Sequence, residues 1–332
     1  MNLNLINIKK IFYYFFIILI YYFFITAVVF SFSYISLING KTYDWFWIKS
    51  IQKKIYFEGY RNIWQYNNNC TSYDKNLLYK PKSGECIFNN PEFQTKLKFD
   101  NFKRIRDQNN KEINLNDYIL VLGDSVAMGW GVNDDETFSY YLEKKLNKKV
   151  YNLAVSSYGT VREIKRLKMS PYFKESNEII IQYHPNDLGE NKELNINKVY
   201  SQNDFDKIFE NQKLKKNNIQ VIFGTFKSSL RLFFSDIVDI VFREKNLELI
   251  DFKIDQKYLE KVLEENLNIQ KKRVIIVLIV QPWQKVLNFP NKSKKLEYVL
   301  IKLDKSHFFT IDDHPNSLGH MKIADELVKY FK

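Results

Sequence analysis

Four short segments, well separated along the chain, carry the residue types that nucleophilic chemistry needs. Gly123-Asp124-Ser125 closes the apolar run YILVLGDS and is followed by Gly129, Gly131 and a predicted helix. A serine hydroxyl is a poor nucleophile at neutral pH unless a base stands beside it. Near the carboxyl terminus, Ile311-Asp312-Asp313-His314-Pro315-Asn316-Ser317-Leu318-Gly319-His320 sets a histidine beside carboxylates, ahead of a closing helix. That grouping suits a general base with an orienting acid. Between the two, Asn152-Leu153-Ala154-Val155-Ser156-Ser157-Tyr158-Gly159-Thr160 places small residues and a glycine after a second apolar run. Backbone N–H groups there can approach a ligand, although an ordinary strand-to-helix loop reads the same way. His184-Pro185-Asn186-Asp187-Leu188 follows a third run. Asn186 offers a neutral amide donor and Asp187 suits the cap of the next helix, and a simple capped turn is the alternative. His184 reads as structural or peripheral. A metal site is disfavoured, because one His-x5-His pair lacks the close ligand spacing of zinc sites.

These residues need a frame that gathers them. YILVLGDS, KKVYNLAVS, NEIIIQYH and KKRVIIVLIVQPW read as apolar strands, while ETFSYYLEKKL, GTVREIKRLK and LGHMKIADELVKYF read as helices. Alternation of this kind predicts a mainly parallel sheet covered on both faces. In such sheets ligands sit beyond the carboxyl ends of the strands, which is where Ser125 falls, next to a helix amino terminus that favours negative charge. A long insertion separates about residue 188 from about residue 268. It holds Leu230, Phe233, Phe234, Ile237, Val238, Val241 and Phe242 at helical spacing. That face is expected to pack on the sheet, with a lid or a membrane-contacting surface as the alternatives.

The 332 residues carry 50 basic and 38 acidic side chains and 45% apolar residues, enough for a sizeable core. Disordered and collagen-like classes are excluded by this composition. The lysines are scattered among Asn, Glu and Asp rather than striped, so nucleic acid is not an expected partner. Residues 11–40 hold no charge. As a helix they would span roughly 45 Å, against about 30 Å of hydrocarbon. No small-residue cleavage site follows, so an uncleaved anchor is expected. Lys41, Lys49, Lys53 and Lys54 follow the segment and only Lys9 and Lys10 precede it, which alone favours a cytoplasmic carboxyl-terminal part. The short amino-terminal tail and Cys70 with Cys86 argue the other way. A disulfide between them would close a short loop in an oxidising compartment, with two unpaired thiols as the alternative. A single-pass protein with an extracytoplasmic main domain is the expectation. Its parts are a tail (1–10), an anchor (11–38), a stalk or small subdomain (39–115) and the main domain (116–332).

Taken in order, the four segments resemble the SGNH/GDSL hydrolase superfamily over about Tyr118 to Lys332. The resemblance implies a flavodoxin-like three-layer α/β/α sandwich, ester or thioester cleavage, and no metal or organic cofactor. It makes Ser125 the nucleophile, Asn186 an oxyanion donor through its amide, and His314 the base. The family's oxyanion glycine falls at Ser157, with Gly159 two positions on, and either backbone N–H could serve. His184 stands where the third block has glycine. The usual acid three residues before the base is Ile311 here, so Asp312, at the D-x-H spacing of some polysaccharide-acetylation relatives, is taken as the orienting acid ahead of Asp313. The implied substrate is an ester-bearing envelope glycan or a lipid ester at the bilayer, with the acyl group passed to water or to a sugar hydroxyl. A non-catalytic carbohydrate-binding or assembly protein on the same fold is the alternative.

Overall fold

The computed structural model describes residues 3–105, 118–174, 176–213, 222–231, 247–267, 271–290, 292–293 and 296–331. Two compact units emerge: Met1–Arg61 with Leu214–Lys245, and Asn62–Lys213 with Asn246–Lys332.

In the smaller unit the uncharged run forms most of one helix, α1 (Leu3–Ile38). Its stretch Lys9–Ile38 is long and apolar enough to cross a membrane. Side chains from Ile11 to Phe16 are exposed, whereas the small polar Thr26, Ser33 and Ser36 are buried, as close helix–helix approach requires. Helix α2 (Phe46–Ile55) folds against the end of α1 and buries Ile51 and Ile55. Its buried Gln52 donates to Ser36 Oγ at 3.1 Å and to the Lys41 carbonyl at 2.9 Å, and accepts from the Tyr43 N–H at 3.0 Å. Residues 222–231 are helical and also belong to this unit. The Phe226 ring lies 5.6 Å from that of Phe23 and 5.2 Å from that of Phe30. Residues 222–231 of the insertion thus pack on α1, whereas its last helix, Phe252–Asn266, packs on the sheet. Of its expected apolar face only Leu230 is among the described residues, and 233–242 lie outside them.

The larger unit begins with two hairpins, β1 (Thr71–Asp74) with β2 (Leu78–Pro81) and β3 (Gly84–Asn90) with β4 (Phe93–Phe99). A disulfide joins Cys70 to Cys86. The stretch 39–115, expected as one stalk or subdomain, is therefore divided. Its residues up to Arg61 go with α1, and 62–105 go with the sheet.

The central sheet follows. It is built from β5 (Tyr118–Gly123), β6 (Lys149–Asn152), β7 (Glu178–Tyr183), and, after a short β8 (Glu248–Asp251), from β9 (Arg273–Val280). Beyond β10 (Gln284–Leu287) come the two-residue β11 (Lys292–Ser293) and β12 (Leu296–Lys302). The order is β11-β12-β9-β7-β5-β6, with β11 antiparallel at one edge and the other five parallel. Numbered along the chain, those five lie 2-1-3-4-5, the flavodoxin-like order. Neighbouring residues of β5 feed opposite cores: Ile119 and Val121 one, Leu120 and Leu122 the other. The helices Phe138–Leu146 and Ser317–Val328 cover the first core with Phe138, Leu142, Ile323 and Leu327. Thr160–Met169 and Phe252–Asn266 cover the second with Ile164, Leu167, Leu259 and Leu263. The expected three-layer sandwich is the fold observed.

His320 is fully buried between two of these helices. Its Nδ1 accepts the Phe138 N–H at 3.2 Å and its ring stacks on that of Phe138. Burial, with the positive charge of Arg104 nearby, lowers its pKa from 6.5 to about 3. The unfolded chain therefore binds a proton that the folded chain refuses. The resulting stability is complete above about pH 6.5 and falls by about 2 kcal/mol by pH 5. Thermal unfolding of the parent should drop more steeply between about pH 7 and about pH 5 than that of His320→Phe. Parallel slopes would contradict a buried neutral imidazole.

Candidate active site

Ser125 opens a single helical turn, Ser125–Met128, immediately after β5. The chain turns sharply there because Gly123 adopts φ +145°, where a Cβ would lie 2.6 Å from Ala127 Cβ and 3.0 Å from Gln182 Cβ. Asp124 caps the turn by accepting the Val126 N–H at 2.9 Å, and Gln182 accepts the Ala127 N–H at 3.1 Å. Buried Arg104 closes the other end, donating to the carbonyls of Met128 (2.6 Å), Gly129 (3.0 Å) and Val132 (2.7 Å) and to Asp134. The hydroxyl is thus presented, half-buried, at the carboxyl end of a central strand.

His314 reaches it from the loop ahead of Ser317–Val328. Its Nε2 lies 2.8 Å from Ser125 Oγ, and its Nδ1 lies 2.5 Å from Asp312 Oδ1. Asp312 is buried, and its Oδ1 also accepts the His314 N–H at 3.1 Å. The Asp313 backbone carbonyl accepts from Gln281 Nε2 at 2.9 Å. Two side chains not foreseen from sequence complete this set. Trp130 Nε1–H donates to Asp312 Oδ2 at 3.1 Å, and the Trp130 ring stacks on the His314 ring at 4.7 Å and 16°. The indole thus covers one face of the imidazole. Glu92 accepts N–H groups from the His314 loop. The sequence distances of these contacts, 182 and about 220 residues, hid them from local pattern.

The oxyanion candidates separate. Ser157, expected from sequence as an oxyanion donor, sits at φ +60°, the left-handed backbone that glycine adopts freely. Its loop is tied to the elbow by the Val155 N–H on the Gly123 carbonyl at 3.1 Å. Gln65, outside the four segments, bridges Ser156 and Ser157 at 3.3 and 3.0 Å. Gly159 instead gives its N–H to Glu190 at 3.2 Å, and a Cβ there would lie 2.9 Å from that carboxylate. Its glycine serves this approach, not an open cleft. Asn186 stands exposed beyond β7. His184 accepts the Asn186 N–H at 3.3 Å. Asp187 does not cap the following helix. It accepts from Thr160 Oγ1 (3.3 Å) and the His184 N–H (3.5 Å). Burial and the charges of Asp124 and Glu190 drive its pKa well up, and burial with the charges of Asp187 and Asp124 does the same to Glu163. Among the described residues no group of three or more His, Cys, Asp or Glu converges as a metal site would require.

No family model and no curated protein matches the sequence. Solved structures similar to this chain include a lipolytic protein of the G-D-S-L family from Desulfitobacterium hafniense DCB-2, 11% identical over 64% of this chain and 98% of that one, with a TM-score of 0.34. A carbohydrate esterase whose active site displays divergent catalytic and non-catalytic binding functions is 12% identical over 69% of this chain and 67% of that one (TM-score 0.33). A family two carbohydrate esterase from Cellvibrio japonicus is 12% identical over 64% of this chain and 60% of that one (TM-score 0.31). At these values the likenesses assign no residue, and the site stands on its own geometry.

Gly131, next to Trp130, has φ +77°, and a Cβ there would lie 2.7 Å from the Phe309 ring and 2.9 Å from that of Phe93. Left-handed strain and overpacking together predict that Gly131→Ala lowers stability by about 2–4 kcal/mol. Chemical denaturation checks this, and a loss below about 0.5 kcal/mol would show that the rings move aside freely.

Proposed function

We propose that this chain is a serine hydrolase of ester bonds, tethered to a membrane by α1, with its larger unit on the extracytoplasmic side. One observation carries the catalytic part: the unbroken line from Asp312 Oδ1 through His314 Nδ1 and Nε2 to Ser125 Oγ, with steps of 2.5 and 2.8 Å. His314 Nε2 accepts the Ser125 proton as Oγ bonds to the ester carbonyl carbon. The carbonyl electrons move to oxygen, where the Ser125 and Ser157 N–H groups and the Asn186 amide receive the charge. Such donors commonly contribute about 3–4 kcal/mol each. Asp312 holds the imidazole with Nδ1 protonated and stabilises its charged form. Collapse breaks the bond to the alcohol, which leaves with the proton from His314. Water, activated by the same imidazole, then frees the acid and restores Ser125, or a sugar hydroxyl takes the acyl group instead.

The anchor is supported by the length and apolarity of Lys9–Ile38, and the compartment by the Cys70–Cys86 disulfide. A tethered enzyme suits esters held near the envelope surface, either O-acylated glycans or lipid esters. The commitment of Gly159 to Glu190 removes one oxyanion donor and favours, as a second reading, a non-catalytic carbohydrate-binding protein on this fold. Turnover separates the two. The parent should hydrolyse a short-chain nitrophenyl ester, and Ser125→Ala should abolish hydrolysis while its circular dichroism stays at the parent spectrum. Equal rates in the two proteins would remove Ser125 from the chemistry.

A further inference from the structure

The turn between β3 and β4 carries a carboxylate that the steps above do not use. Glu92 Oε1 accepts the Thr310 N–H at 2.7 Å, and Oε2 accepts those of Ile311 at 2.9 Å and Asp312 at 2.7 Å. Three successive backbone donors thus converge on one side chain more than 200 positions away. These N–H groups belong to an irregular loop, where no strand or helix partner is at hand, and buried donors need partners. Water or a hydroxyl would have served the donors without adding charge. A carboxylate beside Asp312 is an expensive choice: burial and the Asp312 charge both push the Glu92 pKa up, against the three donors that pull it down. What the arrangement secures is geometry. The Asp312 backbone is pinned through its N–H, while Oδ1 meets His314 and Oδ2 meets Trp130.

The same hairpin also grips the Ser125 side of the site. The Phe88 and Phe93 rings lie 4.8 and 6.5 Å from that of Trp130, and Phe93 lies 5.1 Å from Phe309 in the base loop. One hairpin therefore touches both halves of the Ser125–His314 contact, through rings on one side and through Glu92 on the other. We infer that Glu92 is a positioning residue, holding Asp312 through the 310–312 N–H groups, and through Asp312 the His314 imidazole, within reach of Ser125. This rests on the triad reading proposed above.

The test compares parent, Glu92→Gln and Glu92→Ala as full chains in detergent. Glutamine keeps the volume and one acceptor but sets an amide NH₂ against an N–H, and alanine removes both acceptors. With a short-chain nitrophenyl ester, kcat should fall about tenfold in the glutamine variant and about a hundredfold in the alanine variant, with KM within about twofold, as misplacement of a catalytic group predicts. The low-field proton resonance of the His314 Nδ1–H should move upfield or broaden in both. A merely structural role would lower the unfolding midpoint yet leave the kcat of folded protein and that resonance at parent values. Such a result in the glutamine variant, the one more certain to fold, overturns the inference. A parent that turns over no ester would sink the triad reading instead, and the resonance would still decide whether Glu92 holds the imidazole.

Discussion

A serine hydroxyl and an imidazole 189 positions apart must meet within hydrogen-bond reach and stay there, and much of this fold can be understood as the means of doing so. Ser125 leaves a strand at the middle of the sheet, whereas His314 comes from the loop after the last strand. A parallel sheet delivers both at one edge because every strand ends on that side. The sheet sets only the approximate distance. The final placement is made by polar contacts with few degrees of freedom: Gly123 and Arg104 around the serine turn, and Trp130 and Asp312 around the imidazole.

Those contacts place charged and polar groups in a core that would be cheaper to fill with hydrocarbon. Arg104, Asp312 and His320 are all nearly inaccessible to water. A buried charge is tolerable when each of its hydrogen-bonding atoms is matched. Arg104 meets three carbonyls and a carboxylate, and Asp312 uses both oxygens. His320 solves the same difficulty by giving up its proton. The two histidines of the HPNxxGH segment, six positions apart, therefore have opposite fates. One is open toward the serine, and the other is sealed beneath it as a neutral acceptor.

Much of this was legible in the sequence because it is local. An apolar run ending in Gly-Asp-Ser specifies an elbow, and a histidine two residues after an aspartate specifies a pair. The parallel sheet follows from strand–helix alternation. Contacts made across the fold were not legible. Nothing near Gly159 announces Glu190, 31 positions on, and nothing near Asp312 announces Trp130 or Glu92. The β3–β4 hairpin left a signal in FQTKLKF, where Phe93, Thr95, Leu97 and Phe99 alternate with polar residues and face inward. Abundant Asn and Lys around it made the whole stretch look like a stalk. The strand β12, LEYVLIK, is masked in the same way by charges at its ends.

The most direct test of the account is covalent. A fluorophosphonate probe reacts with a serine only when a neighbouring base draws off its proton. Full-length protein treated with such a probe and mapped by mass spectrometry should carry one adduct, on the peptide containing Ser125, and His314→Ala should form it at least about a hundredfold more slowly. Absence of an adduct on that peptide, or labelling at the parent rate without His314, would contradict the claim that these two residues act as a pair.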